Sequence, residues 1–544
     1  MSAPLGTTRR DFLKTSLATA GTAALSRRLV LAQAPAKYRR YNVTSAGGQK
    51  ALASYAKAVK IMLNLPPEHP HNWFRNAFVH LMDCPHGNWG FYVWHRGYVG
   101  LFEETVRKVS EDPTFAFPYW DWSVLPQIPD VMFDGVLTPT DSAYEPFTRD
   151  IDTFTAYIQP SLKKYWNGLN HDQLAQLDAR GYGSFELMWN EVTGYNPKLD
   201  PPRIDPTNMA FAKTSEARYL TRSNPKLDAD VTFNCSPKVV YPGLLPTSFY
   251  DPITLISFNS SKTTSHNEPP PDRTVFSTLE GQPHNSTHNY IGGVGNIPDG
   301  PWGNMTNNLS PVDPLFFLHH SNMDRLWDVW TRKQQALRLP YLPEEEDFKI
   351  WGDEPFLFFV NAKGDQVGAS YAKDYISTSR FQYDYEPGFG EAVIKRPKRL
   401  LTAAQMAPVK GVLKGNSAMM TLSASAIKNH LADDAQAPLI ALVTLPRPTD
   451  ASPHRDFDVL VGAPESVTDA GPESPYYAGT VAFFGGMMHM PGMSEDATFL
   501  VPLPKRAEAF KGLGAGPGGV AVSIRVVPSG GGASVLKAAT VRAL

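Results

Sequence analysis

Cysteine is almost missing from this chain. Its 544 residues include two, Cys84 and Cys235, too few for a disulfide framework. At most the two could join each other in an oxidising compartment. Long apolar runs are missing too: none approaches the roughly 20 residues of a membrane-spanning helix. Nor is there an excess of one charge. Lys and Arg number 51 against 53 Asp and Glu, a formal net charge of −2, so no basic field points to nucleic acid. No internal repeat is visible. An apolar share of 42% with 19% charged residues is that of a globular chain with a real core. The length allows two or three domains. Proline (48) and glycine (41) are plentiful, so loops and turns outweigh long helices.

The N-terminal stretch TTRRDFLKTSLATAGTAAL pairs Arg9 with Arg10, then has Phe12, Leu13 and Lys14 and a weakly apolar run. LAQA at 31–34 supplies a small-x-small cleavage pattern. Residues 1–34 are expected to be a twin-arginine export signal, which predicts a periplasmic or secreted protein.

Residues 35–385 are expected to form one mainly α domain with long loops. ALASYAKAVKIMLNL carries apolar residues at helical spacing and stops at Pro66 and Pro67. YVWHRGYVGLFEETVRKVSED ends at Pro113, and a third helix starts after Pro314. HNEPPPDR at 266–273 is loop. Residues 386–407, with EPGFGEAVIKRPKR, have no period and read as a linker. From 408 to 544 the pattern alternates, as in PLIALVTL, RDFDVLV and GVAVSIRVV. That predicts an all-β sandwich or barrel.

Seven of the 14 histidines fall into two groups. One is His80, His86 and His95. The other is His284, His288, His319 and His320. His284 and His288 stand at i and i+4, so on a helix their rings point the same way. Asp324, one turn beyond His320, is expected to accept a ligand's free ring N–H and set its tautomer. Three imidazoles without a thiolate or carboxylate suit Zn, Cu, Fe or Ni. The duplicated arrangement points to two metals held between helices of a bundle.

HGNWGFYVWHRGYVGLFE, from His86 to Glu103, and DPLFFLHHSNMD, from Asp313 to Asp324, resemble the two motifs of the type-3 copper family. That family holds tyrosinases, catechol oxidases and, more distantly, haemocyanins. PHNSTHNYIGG and WFRNAFVH resemble its remaining ligand segments. FPYWDWS (117–123), YDY (383–385) and the strands of the C-terminal region resemble those of members with a plant-type C-terminal domain. The one departure within the motifs is Tyr92, where the family usually has an aliphatic residue, Phe, Thr or Pro. The resemblance implies a four-helix bundle around a dicopper centre plus a C-terminal β domain. It implies His80, His86 and His95 on one copper and His284, His288 and His320 on the other, with His319 beside the pocket. It also implies a thioether between Cys84 and His86, and Arg39 or Arg40 packed on the Tyr383/Tyr385 pair.

The chemistry implied is that of an exported bacterial tyrosinase or polyphenol oxidase. Monophenols are hydroxylated at the ortho position, and o-diphenols become o-quinones at the expense of O2. Glu280 and Asn285 then hold a water that takes the phenol proton. Catechol oxidase without monophenolase action and o-aminophenol oxidase are the alternatives, and a haemocyanin-like oxygen carrier would use the same six histidines. Asn289 offers substrates no cationic steering. FFGGMMHMPGM, from Phe483 to Met493, has four Met and one His. It is expected to cover the site mouth or, through its Met-rich part 487–493, to handle copper.

Overall fold

A computed structural model describes residues 36–395, 407–433, 438–448, 454–485, 490–511, 515–516 and 519–544. The expected export segment, half of the expected linker (396–406), and Met487, Met488 and His489 of the Met-rich loop lie outside the described residues.

Strand β1 (Tyr38–Arg40) precedes helix α1 (Ala46–Leu63). The Ser45 side chain caps α1 by accepting from the Gly48 amide, and Leu52, Tyr55, Val59 and Met62 form its buried stripe. Helix α2 (Trp73–Asp83) is capped by Asn72, whose side chain accepts from the amides of Phe74 and Arg75. Helix α3 (Phe91–Ser110) stops where Glu111 turns left-handed at φ 60°. Strand β2 (Thr274–Phe276) is followed by a π-helical turn, Glu280–His284, that runs into α4 (Asn285–Gly292). Helix α5 (Leu315–Leu337) begins behind Pro314, and β3 (Tyr383–Tyr385) pairs in parallel with β1. Helices α2 to α5 surround the histidines. Close approach against α3 is set by Gly100, where a Cβ would stand 2.2 Å from Phe381 Cε2.

A buried charge network joins these elements. Asp324 on α5 accepts from Arg96 Nε at 2.6 Å and Arg40 Nη1 at 3.1 Å, and from the hydroxyls of Tyr383 and Tyr385. Arg40 also reaches Glu103 at 2.8 Å and lies 3.7 Å over the Tyr383 ring, as expected of the arginine beside the tyrosine pair. Arg39 instead pairs with Asp384 at the surface. Burial alone would raise the Asp324 pKa, but Arg96 and Arg40 hold it below the usual carboxylate value. Asp324 therefore does not orient a ligand histidine. It faces α3 and β3, where two guanidiniums claim both its oxygens.

The C-terminal region is a sandwich of two sheets around its own apolar core. Its strands are β4 (Ser417–Leu422), β5 (Leu439–Pro446), β6 (Asp456–Val461), β7 (Tyr477–Ala482), β8 (Asp496–Pro502), β9 (Gly519–Pro528) and β10 (Ala538–Ala543). One sheet runs β7–β6–β9–β4 and then Val412–Lys414. The other runs β2–β8–β5–β10 and then Val409–Lys410. β5, expected to alternate, is instead buried on both faces from Leu439 to Val443, because both of its faces are covered, whereas β4 alternates. β2 is contributed by the helical region. It lies parallel to β8, and its Phe276 stacks on Phe499 with centroids 4.7 Å apart. Three residues are too short for a periodic signal, so this seam is invisible in the sequence pattern.

Candidate metal centre

The two histidine groups meet inside the helical region. His80 lies on α2, His95 on α3, His284 ends the π-helical turn, His288 follows on α4, and His319 and His320 lie on α5. His86 is on the loop after α2 rather than on a helix. A π-helical turn widens the backbone locally and is common at functional sites. Here it is followed directly by α4, and the His284 and His288 rings stand 4.6 Å apart.

One ligand atom from each of His80, Cys84, His86 and His95 falls within 4.8 Å of the others. The same holds for His284, His288, His319 and His320. The groups adjoin: His95 stacks on His320 with centroids 4.1 Å apart, and His86 stands 5.8 Å from His284.

The hydrogen bonds of the rings decide what they can hold. Nδ1 of His80 donates to the Asn308 carbonyl at 2.7 Å, that of His95 to the Phe91 carbonyl at 2.7 Å, and that of His288 to the Met305 carbonyl at 2.7 Å. Nδ1 of His284 donates to Asn285 Oδ1 at 2.8 Å. A ring nitrogen bonded to a carbonyl must carry the proton, so Nε2 carries the lone pair. Nε2 of His80 and His284, Nδ1 of His320 and both nitrogens of His319 are buried without a hydrogen-bond partner. Such orphans are costly unless something takes them. Burial brings His80 and His284 down to about 3 and the other five well below the usual histidine value. All seven rings are therefore neutral, the form that binds a metal. Neutral imidazole sets in two adjoining groups fit a pair of copper ions.

Cys84 and Cys235 are both free and buried. They sit in different surroundings, so no disulfide joins them: Cys235 Sγ contacts Thr287 Oγ1 at 3.3 Å. Cys84 Sγ is 3.7 Å from each nitrogen of His86 and 3.3 Å from His95 Nε2.

Glu280 is buried. Its Oε1 accepts from the Gly87 amide at 2.6 Å, and its Oε2 from the Ser260 hydroxyl. Burial raises its pKa to about 7. Besides accepting from His284, Asn285 donates Nδ2 to the Ala482 carbonyl at 2.6 Å. Asn289 donates to Asp456 Oδ1 at 2.7 Å and to the Phe483 carbonyl at 2.9 Å. Both asparagines thus grip the β domain at the end of β7 and the start of β6.

That grip delivers a residue the motifs do not mark. The Phe484 ring stands 4.5 Å from His86, 4.5 Å from His288, 5.8 Å from His284 and 6.5 Å from His80. Its only sequence signal is its place in the segment expected to cover the site.

Among family models, the common central domain of tyrosinase matches residues 53–333. Among characterised proteins, the chain is 24% identical over 352 residues to a chloroplastic polyphenol oxidase of Vitis vinifera, covering 62% of this chain and 45% of that protein. It is 22% identical over 470 residues to aureusidin synthase of Antirrhinum majus, covering 81% and 69%. The chain spans about half the length of most of the curated relatives it matches. Among solved structures, a latent aurone synthase (polyphenol oxidase) aligns with a TM-score of 0.56 at 19% identity, covering 94% of this chain and 91% of that one. Latent apple tyrosinase aligns at 0.52 with 19% identity, covering 94% and 97%. At these identities the two structures establish a common fold.

Proposed function

The chain belongs to the tyrosinase family of type-3 copper oxidoreductases, and from that premise we propose that it is an exported phenol oxidase. It would hydroxylate monophenols at the ortho position and oxidise o-diphenols to o-quinones. One observation carries the reading: two adjoining sets of buried, neutral imidazoles, two of which, His80 and His284, have Nδ1 tied to a carbonyl oxygen and Nε2 left bare. His80, His86 and His95 would hold one copper, and His284, His288 and His320 the other. When bound, the copper pair supplies dioxygen binding and two-electron redox chemistry.

The protein's own residues arrange the rest. The backbone carbonyls of Asn308, Phe91 and Met305 fix three rings in one tautomer. Glu280 would take the proton of a phenol through a water. Its burial-raised pKa of about 7 brings it closer to a phenol, whose pKa is roughly 10, than an ordinary carboxylate would be. Asn285 would hold that water once its Nδ2 is released from the Ala482 carbonyl. The β domain would therefore act as a cover in two ways: Phe484 fills the space over the imidazoles, and Ala482 occupies the water-holding amide. Both carboxylate oxygens of Glu280 are already engaged within the helical region, by the Gly87 amide and the Ser260 hydroxyl, which favours catechol oxidase as the second reading. A thioether between Cys84 and a ring carbon of His86 would lock that loop imidazole. It would appear as the loss of two hydrogens from the mass of the peptide containing both residues.

Copper counting on the purified protein, followed by quinone formation from catechol and from tyramine, tests the proposal. Two coppers per chain with turnover of both substrates supports it. Turnover of catechol alone retires the monophenolase part. A single zinc, or reversible dioxygen binding without quinone, overturns it. Export is tested by following removal of residues 1–34 in a host with and without the twin-arginine translocase.

A further inference from the structure

A cavity of about 110 Å³ lies against the outer side of His86 and Phe484, at the seam between the helical region and the β domain. Arg180, Arg447 and Arg455 stand in its wall, and among the described residues no carboxylate does. Arg180 and Arg455 are 2% and 4% exposed, and Arg447 is half-buried. Elsewhere in this fold buried guanidiniums grip carboxylates, as Arg40, Arg96 and Arg218 do. These three donate to neutral oxygens instead. Arg180 reaches the Leu81 carbonyl and Asn267 Oδ1, at 3.2 Å each. Arg447 donates to the Ser494 carbonyl at 3.1 Å and to Thr274 Oγ1, and Arg455 to the carbonyls of Thr306 and Thr207. Nη2 of Arg180 is buried and has no partner at hydrogen-bonding geometry. Acids lie near two of the three: Glu191 near Arg180 and Arg455, and Asp205 and Asp456 near Arg455, while among the described residues burial acts on Arg447 with no acid to offset it.

Neutral acceptors satisfy N–H groups but do not offset charge, and a cation drawn out of water without a counter-ion, as Arg447 is, is costly. A carboxylate is the planar group that two guanidinium forks receive best. Beside the polar His266, Thr274 and Asn308, the wall carries the apolar Phe276, Phe483, Met490 and Met493, and an aromatic ring can pack against these. Guanidiniums beside an aromatic wall, one chamber away from the imidazoles, fit an aryl group that bears an acid.

We infer that this chamber recognises the carboxylate of an aryl acid, so that the preferred substrates are phenols carrying a carboxylate rather than an amine or a neutral chain. The inference rests on the phenol-oxidase reading for the word substrate, but the anion recognition stands without it. Arg180 belongs to the helical region, while Arg447 and Arg455 come from the β domain, so the acid bridges the seam.

The test is calorimetric titration of the full chain with benzoate, benzyl alcohol and benzylamine, none of which is a phenol. Benzoate is expected to bind about tenfold or more tighter than benzyl alcohol, with benzylamine weakest, and the preference is expected to shrink as salt is raised. Arg180→Gln and Arg447→Gln are expected to bring the benzoate preference close to one. Arg447, being half-buried, keeps the test available if the Arg180 variant does not fold. With copper loaded, kcat/KM is expected to rank 3-(3,4-dihydroxyphenyl)propionate above 4-methylcatechol and dopamine last. Equal binding of benzoate and benzyl alcohol by folded protein overturns the inference, as does a ranking that puts dopamine first. Failure of every catechol to react, with the benzoate preference intact, overturns the oxidase reading and upholds the anion chamber.

Discussion

Replacing Phe484 with alanine should release the site without detaching the β domain. The ring faces His86 and His288 at 4.5 Å and His284 at 5.8 Å. Aromatic pairs are worth roughly 0.5–1.5 kcal/mol each beyond their area, so the two closest contribute about 1–3 kcal/mol. The side chain is partly open, so its apolar burial adds only about 1 kcal/mol, less than the full value for Phe. A closed state favoured by about 2–4 kcal/mol leaves the site open in roughly 1 molecule in 30 to 1 in several hundred. The bonds that dock the domain are untouched by the change: Asn285 to the Ala482 carbonyl, Asn289 to the Phe483 carbonyl and Asn234 to the Thr480 carbonyl. Copper-loaded Phe484→Ala is therefore expected to oxidise 4-methylcatechol about 100-fold faster than the intact wild type. It should approach the rate of protein from which the β domain has been cut away. The assay is the initial rate of quinone absorbance at matched copper content. Equal rates for intact wild type and Phe484→Ala, both active, would refute the argument that this ring gates the site.

Asp324→Asn removes the charge that two buried guanidiniums share. It is expected to cost about 3–5 kcal/mol, read as a lower denaturant midpoint for the helical region. His266, held between Asp83 at 2.9 Å and Glu354, would be lowered by burial, but the two carboxylates raise it to about 9. Its folded pKa lies above the unfolded 6.5, so its contribution is complete below pH 6.5 and is lost as pH rises through 9. That is a fall of about 3 kcal/mol, to be measured as unfolding free energy at pH 6 and pH 10, and it should be absent in His266→Gln. Gly100→Ala pushes a methyl to 2.2 Å from the Phe381 ring. It is expected to lower stability by about 1–3 kcal/mol, seen as a reduced melting temperature.

Much of the helical region was readable because helix faces are local. The stripe of α1, the stop at Pro66, and the spacing of His284 and His288 are all set by residues within two turns of each other. The β strands were readable for the same reason, since runs rich in β-branched residues between turns announce themselves within eight residues, but that both faces of β5 are covered was not. Where the sequence pattern misled, the deciding partner was remote. Asp324 is one turn from His320, which suggested that it supports a ligand. Arg40, 284 residues earlier, and Arg96 take it instead.

The identity of the ring nitrogens that face inward, and of the group that sits over them, belongs to the three-dimensional arrangement. Carbonyls at 305 and 308 choose the tautomers of rings at 288 and 80. A phenylalanine at 484 meets an imidazole at 86 because a three-residue strand at 274–276 stitches the β sandwich to the helices. Residue types and their periodicity specify which faces are apolar and which side chains can bind a metal. Which faces meet is fixed only on folding, when packing and hydrogen bonding bring together segments hundreds of residues apart.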